Sequence, residues 1–339
     1  MTMRLPDEYT PKIPLKFKKD GDFRILMMSD AHQKPGPDVR TPLAMGLLID
    51  RTKPDLVVLG GDNVCGCETE DQFREQLERI ASPMEERGIP WAHVYGNHDQ
   101  TDRLSKRWQQ AVYEEYRHCV SRTGPEELPG TGNYFLPVVD ESGEPVFGLW
   151  GIDSQQDWRT QTVPLEYKGD LYWDVMMPMP IASYADYDFI RFEQVMWYWN
   201  TSVALEKQCG HKIPSLMVFH IPLYEFNAIL RNAGRTQYKG EYNERLSNSE
   251  INSGIFAAIF QRGDVKAVFA GHDHINTFDG VYCGIRMGFD GSIGYQAYGT
   301  RDNDPGHDRE RLRGGRIFDI SREDPWNIRT EMTFVGSLD

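Results

Sequence analysis

Cysteine is scarce in this chain, and long apolar runs are missing. The 339 residues include only five cysteines, an odd number at irregular spacings, which suits reduced thiols better than a disulfide framework. No apolar run reaches the roughly 18 residues that a membrane-spanning helix needs. The first 23 residues also lack the apolar stretch of a secretory signal. These absences predict a cytoplasmic protein with no membrane span.

Basic residues are the minority charge. The chain has 37 lysines and arginines against 51 aspartates and glutamates, a formal net charge of −14. Proteins that coat nucleic acid or bind anionic membranes expose basic faces, so this balance argues against both classes. The composition is otherwise that of a globular protein, and it indicates no oligomeric state. We expect a single domain over residues 1–339, with an N-terminal extension at residues 1–22.

Short apolar runs alternate with helix-forming segments in the first hundred residues. Strands are predicted at residues 23–28, 56–59 and 91–95, with helices between them at 42–51 and 69–87. Because these strands are almost continuously apolar and follow a β-α-β-α-β order, they predict a parallel sheet covered on both faces.

The pattern changes in the second part of the chain. Residues 134–139 and 146–152 flank a turn sequence and predict a hairpin. Residues 153–187 are rich in Trp, Tyr, Met and Pro without a clear period, which is typical of a long surface insertion. Further helices are predicted at 188–208 and 251–262, further strands at 215–219 and 265–270, and short antiparallel strands in the last sixty residues.

Five of the predicted strands end in residues that can bind a metal ion. These residues are Asp30 and His32, Asp62, Asn97 and His98, His220, and His272 and His274. Open α/β sheets place their sites at the carboxyl ends of strands, so we expect these side chains to gather in one crevice. Eight such residues would be costly to bury together without cations.

The residue types in this set indicate which metals they would bind. Two carboxylates, an amide oxygen and several imidazoles, without a thiolate, suit Mn²⁺, Fe²⁺ or Zn²⁺ better than Ca²⁺ or Cu(I). There are too many ligands for one ion and about enough for two, and a carboxylate can bridge a pair. Two such ions clamp the attacking and leaving oxygens of an in-line phosphoryl displacement. The sequence therefore predicts a dinuclear centre of a kind that suits phosphoryl displacement.

In order and spacing, these blocks resemble the calcineurin-like metallophosphoesterase family. The motifs are D-x-H at 30–32, G-D-N at 61–63, G-N-H-D at 96–99, a histidine at 220 and G-H-D-H at 271–274. Longer phrases, such as GDVKAVFAGHDH at 263–274 and GYQAYG at 294–299, resemble the single-domain branch that is similar to purple acid phosphatases. The resemblance covers about residues 23–320. It implies an α/β fold, a sandwich of two mixed β-sheets flanked by helices.

The resemblance also implies which residues would hold each metal. The first metal would be bound by Asp30, His32, Asp62 and His274. Asp62 would bridge to a second metal, which Asn97, His220 and His272 would complete. Purple acid phosphatases proper carry a tyrosine ligand where this chain has Cys65, and they lack the histidine that is present here as His32. We therefore expect a colourless site that holds divalent ions.

Three neighbouring residues are implied to take part in catalysis. After in-line attack by a metal-bound hydroxide, His98 would protonate the leaving oxygen as general acid. Asn97 would help to stabilise the added charge. Asp99 is expected to orient His98.

The implied activity is hydrolysis of a small-molecule phosphate ester. Phosphodiesterases acting on nucleotides or lipid headgroups, and protein phosphatases, share the same motifs. The insertion at 153–187, expected over the active-site side, and the loop at 301–313 with Arg301 or Arg309 would discriminate among these substrates. The alternative from another class is a catalytically silent metal-binding scaffold. It is disfavoured because all eight site positions are kept.

Overall fold

Two mixed β-sheets form the centre of the structure. The computed structural model describes residues 9–19, 21–100, 103–156, 187–299 and 309–336. Within these residues the strands are β1 (Leu15–Lys16), β2 (Asp22–Met28), β3 (Leu56–Leu59), β4 (Trp91–His93), β5 (Tyr134–Val139), β6 (Pro145–Gly151), β7 (Ser215–Phe219), β8 (Val265–Ala270), β9 (Asp279–Tyr282), β10 (Ile285–Phe289), β11 (Gly314–Ser321) and β12 (Arg329–Phe334). The α-helices are α1 (Arg40–Thr52), α2 (Glu70–Glu85), α3 (Lys106–Glu115), α4 (Phe192–Cys209), α5 (Phe226–Arg231) and α6 (Ile255–Arg262).

The larger sheet has seven strands in the order β1-β5-β6-β7-β8-β10-β9, and the smaller has five in the order β12-β11-β2-β3-β4. In the smaller sheet β2, β3 and β4 run parallel, whereas β11 pairs antiparallel with β2 and with β12. In the larger sheet β6, β7 and β8 run parallel, and the β5–β6 and β9–β10 pairs are antiparallel. The predicted sandwich of two mixed sheets flanked by helices is confirmed.

Side chains alternate in direction along each strand, and this explains why apolar clusters lie on both faces of the sheets. In β2, Ile25 and Met27 belong to the apolar cluster between the two sheets, whereas Leu26 and Met28 belong to the cluster under α1 and α2. Successive side chains of a strand point to opposite faces, so a strand that is apolar throughout is buried on both sides. A third cluster lies between the larger sheet and α4, α5 and α6.

Strand positions follow the predictions more closely than helix starts do. The strands predicted at 56–59, 134–139, 215–219 and 265–270 have the observed bounds. Helix α6 begins at Ile255, not at residue 251, because Gly254 adopts a φ of 78° and donates its N–H to the side chain of Asn252. Helix α4 begins at Phe192, not at residue 188, because the Asp188 carboxylate accepts the N–H of Phe189 in a non-helical turn.

Two observed helices, α3 and α5, were not predicted. Helix α3 has a recognisable sequence signal, since Ser105 caps it by accepting the N–H of Trp108 at 3.2 Å. Helix α5 has six residues and no side-chain cap, so its sequence carries little signal.

The predicted N-terminal extension contributes to the larger sheet, because Leu15 and Lys16 pair in parallel with Val138 and Val139. Of the predicted insertion at 153–187, residues 157–186 lie outside the described residues. The same holds for residues 301–308 of the predicted loop at 301–313, which include Arg301. No helix in the described part of the chain is long and apolar enough to cross a membrane.

Candidate metal centre

Side chains from both sheets meet at the carboxyl ends of the parallel strands. His220, which follows β7, brings its Nε2 atom to 3.3 Å from Oδ2 of Asp62, which follows β3. The same Asp62 oxygen lies 3.3 Å from Nε2 of His32. On the other side, Nε2 of His274 lies 3.2 Å from Oδ1 of Asp30. The strand-end residues named from the sequence are therefore brought into one site.

The ligand atoms form two groups. The first ligand group consists of Asp30, His32 and His274, and the second ligand group consists of Asp62, His220 and His272. Within each group one atom per residue lies within 4.8 Å of the others, and all six residues are buried. Through one oxygen, Asp62 contacts a histidine of each group, so this carboxylate lies between the two groups.

The backbone is strained at this site. Asp30, His32, Asp62 and His272 have φ values of 55°, 43°, 52° and 76°, in the left-handed region that side chains other than glycine seldom adopt. Such conformations cost about 1–3 kcal/mol each and persist where the surrounding structure enforces them. Their concentration in the ligand loops marks this edge of the sheets as a functional site.

Two glycines allow the ligand loops to approach each other. Gly61 has a φ of 99°, and a Cβ atom there would overlap the ring of His220. A Cβ atom on Gly96 would overlap the carboxylate of Asp62. The glycines of the G-D-N and G-N-H-D motifs are therefore required by close packing against the ligands.

Backbone carbonyls orient two of the imidazoles. Nδ1 of His220 bonds to the carbonyl of Gly60 at 2.9 Å, and Nδ1 of His274 bonds to the carbonyl of Tyr298 at 3.0 Å. A carbonyl oxygen only accepts, so each Nδ1 carries a proton and Nε2 is the ring nitrogen left to bind a cation. Both Nε2 atoms face the carboxylates, and metal-ligating histidines are commonly oriented by such a hydrogen bond from the other ring nitrogen.

The buried polar atoms of the site are suited to binding cations. Five buried atoms that face one another have no hydrogen-bond partner among the described residues, namely Asp30 Oδ1, Asp62 Oδ2, and Nε2 of His32, His220 and His272. Burying such atoms without partners costs free energy that a bound cation would recover. Oxygen and imidazole donors without a thiolate match the Mn²⁺, Fe²⁺ or Zn²⁺ expected from the sequence.

The pKa values of the site residues are shifted by burial and by the charges of their neighbours. Burial would lower the pKa of His220, but the carboxylates of Asp62 and Asp30 outweigh it and raise that pKa to about 9. Burial, with the neighbouring His220, lowers the pKa of His272 to about 3. Burial would raise the pKa values of both carboxyls, but the nearby histidines hold them below their usual range. The carboxylates thus stay ionised and available to cations.

Asn97 and His98 lie in the loop after β4. Asn97 is buried, between Gly96, which packs on Asp62, and His98, whose backbone N–H donates to Oδ1 of Asp62 at 2.8 Å. The His98 side chain is 56% exposed, unlike the ligands, and its Nε2 lies 4.0 Å from Oδ2 of Asp62. His98 therefore stands at the mouth of the site, with its ring open to solvent.

Asp99 holds the ligand loops together. One of its oxygens accepts the N–H groups of Asn63 and Val64, and the other accepts that of Gly96. Burial, together with the charge of Asp62, raises the pKa of Asp99 to about 6. These contacts link two loops through backbone amides, in place of the expected contact with the His98 ring.

Cys65 lies beside the first ligand group. Its Sγ is 3.7 Å from Nδ1 of His32, and burial raises the pKa of the thiol to about 12. The thiol thus stays neutral and contacts the back of a ligand ring.

Several residues that support the site were missed in the sequence. The Ser154 hydroxyl accepts the N–H groups of His220 and Ile221, and the Tyr187 ring meets His272 edge-on with centroids 4.4 Å apart. Tyr298 stacks on His274. The GYQAYG phrase contains Tyr298, but no pattern distinguished its role.

Comparisons with known proteins agree with this geometry. A family model described as calcineurin-like phosphoesterase matches residues 23–276. "Probable inactive purple acid phosphatase 14" of Arabidopsis thaliana is 31% identical over 321 residues, covering 84% of this chain and 74% of its own length. "Phosphatase DCR2" of Saccharomyces cerevisiae is 26% identical, covering 76% of this chain and 45% of its own length. The crystal structure of a dimetal phosphatase from Danio rerio shares the fold with a TM-score of 0.53 at 12% identity, over 92% of this chain and 99% of that one.

Proposed function

This chain belongs to the calcineurin-like phosphoesterase family, as its motifs predicted, and we propose that it hydrolyses a phosphate ester at a dinuclear metal centre. The observation that carries this proposal is the position of Asp62, whose Oδ2 lies 3.3 Å from a histidine of each ligand group. That arrangement would let Asp62 contribute to both of two neighbouring cations.

The proposed ligand sets are those of the two groups. The first cation would be held by Asp30, His32, Asp62 and His274, and the second by Asp62, Asn97, His220 and His272. When bound, two divalent ions would activate the attacking water and neutralise the charge of the phosphoryl oxygens.

We assign proton donation to His98. Its backbone is fixed to Asp62, so the ring projects from a rigid point beside both ligand groups. Its exposure lets it meet the leaving oxygen of a bound ester and recover a proton from solvent after each turnover. Asn97, buried next to His98 in the same loop, would direct its amide toward the phosphoryl group and the second cation.

The substrate we propose is a small-molecule phosphate ester. The described ends of the predicted insertion adjoin the second ligand group, through Ser154 on His220 and Tyr187 on His272. Tyr298, just before residues 300–308, adjoins His274 of the first. The described residues that flank these two stretches therefore contact both ligand groups, which supports a role for the predicted insertion and loop in substrate choice.

Two alternatives lead to different results in the same assay. A phosphodiesterase acting on nucleotides or lipid headgroups would use the same ligand groups. A catalytically silent scaffold is the second alternative, since three relatives from Arabidopsis thaliana bear names that begin "probable inactive". The buried, mutually facing ligand atoms and the exposed His98 favour catalysis in this chain.

We also infer a reducing compartment, the cytoplasm. All five cysteines are free, and Cys65, Cys67, Cys119 and Cys209 are buried in the fold. Thiols of this kind suit a reducing environment.

The test combines metal analysis with two ester substrates. We expect about two metal ions per chain, and hydrolysis of p-nitrophenyl phosphate or bis-p-nitrophenyl phosphate with added Mn²⁺. His98→Ala should lower turnover by about 100- to 10,000-fold while the metal content is unchanged, because general-acid catalysis contributes that much. His211→Ala, which removes an exposed surface histidine, is the matched control and should keep full activity.

The outcomes separate the alternatives. Faster hydrolysis of the monoester supports the proposal as stated, and faster hydrolysis of the diester supports the phosphodiesterase. Two bound metals without turnover of either ester would favour the scaffold. Failure to bind metal would overturn the mechanism.

A further inference from the structure

Tyr298 contacts His274 of the first ligand group in two ways. Its backbone carbonyl accepts the Nδ1–H of His274 at 3.0 Å, and its ring stacks on the imidazole with centroids 3.9 Å apart and planes 25° from parallel. The carbonyl fixes the tautomer of His274, and the stacked ring limits rotation of the imidazole. Both contacts direct Nε2 toward Asp30.

Glu244 holds Tyr298 in that position. One oxygen of its carboxylate accepts the Tyr298 hydroxyl at 2.7 Å, and the other accepts the N–H of Ile275 at 2.8 Å. Ile275 directly follows His274. A single carboxylate therefore braces the stacked tyrosine and the backbone on the far side of the ligand.

The backbone that carries Glu244 is itself anchored to the ligand loop. The Asn276 side chain accepts the N–H groups of Asn243 and Glu244 at 2.8 and 3.1 Å, and donates to the Glu244 carbonyl at 2.9 Å. The same amide donates to the carboxylate of Asp273, at 3.0 Å. The segment that carries Glu244 is thus held in place, so its carboxylate can restrain the positions of Tyr298 and Ile275.

The second ligand group is held differently. His220 is oriented by the Gly60 carbonyl, and His272 meets Tyr187 edge-on. The described contacts of Glu244 and Tyr298 fall on His274 and its neighbours. A change in either residue should therefore act on one cation position and spare the other.

We propose that Glu244 and Tyr298 are positioning residues that fix His274 and thereby set the affinity of the first ligand group for its cation. This inference rests on the proposed dinuclear site, but not on hydrolysis. Partners that orient a ligating histidine are worth about 10- to 100-fold in metal affinity.

The experiment is a stepwise titration of the metal-free protein with Co²⁺, followed by visible absorption and calorimetry. We expect Tyr298→Ala and Glu244→Ala to weaken one of two binding steps by about 10- to 100-fold and to leave the other within about threefold. Tyr298→Phe, which keeps the ring and the carbonyl, should recover most of the lost affinity. The affected step is identified with His274→Ala, which should abolish it, and with His272→Ala, which should abolish the other.

Tyr242→Ala is the matched control, because it removes an exposed tyrosine of the same segment whose ring contact in the described part of the chain is with Phe278. It should leave both binding steps unchanged. Thermal unfolding in a chelator checks that each variant folds. For any alanine variant that does not fold, Glu244→Gln and Tyr298→Phe take its place, with a smaller loss confined to the same step.

Unchanged binding in folded variants, or equal weakening of both steps, would overturn the inference. Its failure is distinguishable from that of the proposed function. If the variants show two normal binding steps and the wild-type enzyme is active, only the positioning role of Glu244 and Tyr298 is rejected. If one step is weakened and the wild type is inactive, only hydrolysis is rejected.

Discussion

Asp62 accepts the backbone N–H of His98 through Oδ1 at 2.8 Å, while its Oδ2 lies 3.3 Å from Nε2 of His220. The proposed bridging ligand and the proposed proton donor are therefore parts of one rigid unit. A hydrogen bond from an amide to an ionised carboxylate is stronger than one between neutral groups, so the loop carrying His98 is fixed relative to the cation positions.

Asp62→Asn should weaken both cation-binding steps. Its Oδ2 faces a histidine of each ligand group, and an amide nitrogen there would donate instead of binding a metal. We expect the loss of metal affinity to exceed the roughly 10- to 100-fold that residues orienting a metal ligand contribute. Asp30→Asn gives the comparison, since the Asp30 carboxylate belongs to the first ligand group. In this variant the affinity of one cation-binding step should fall more than that of the other. Metal content and calorimetric titration measure both, and equal effects of the two variants would contradict the bridging role.

Gly61→Ala should displace His220 and impair the second ligand group. The added Cβ would overlap the imidazole, and the φ of 99° adds strain for any other residue. Gly66→Ala is a matched control, because Gly66 also has a positive φ, 68°, but open space around it. The control should lose about 1 kcal/mol of stability and keep both metals. If Gly61→Ala also kept both at full affinity, the close-packing argument would fail.

Asp99→Ala should lower the free energy of unfolding by about 2–5 kcal/mol, because three buried backbone amides lose their acceptor. Asp140→Ala tests the same kind of contact at the surface, where the N–H groups of Ser142 and Glu144 can form hydrogen bonds to water instead. Its cost should stay below about 1 kcal/mol. Denaturant titration in a chelator measures both, and similar losses would refute the loop-holding role.

Acid should destabilise the fold through His93. Its ring stacks on Tyr113, and burial lowers its pKa to about 3 from the usual value of about 6.5. Between these values the unfolded chain takes up a proton that the folded chain refuses, so stability is full above pH 6.5 and falls as the pH drops.

From pH 7.5 to 5.5 this contribution is about 1.4 kcal/mol. Chemical unfolding of the metal-free protein at both pH values should show wild type losing that much more than His93→Gln. His211→Gln, which replaces an exposed ring, should follow wild type. A pH dependence unchanged in His93→Gln would exclude His93 as the source.

The bounds of several strands, and the site residues that follow them, were predictable from the sequence. Continuous apolar runs such as residues 56–59 and 215–219 gave strands with the observed bounds, because a strand buried on both faces needs apolar residues throughout. The positions of Asp62 and His220 directly after such strands indicated a shared site, since parallel strands end at the same edge of a sheet.

The tertiary structure decided how those residues interact. No sequence pattern indicated that Asp99 binds the amides of Asn63 and Val64, or that Glu244 and Tyr298 brace His274. Local pattern fixes which residues follow a strand, because it depends on neighbours in the chain. Hydrogen-bond partners far apart in sequence depend instead on how two sheets and their loops pack, and that choice is made only in three dimensions.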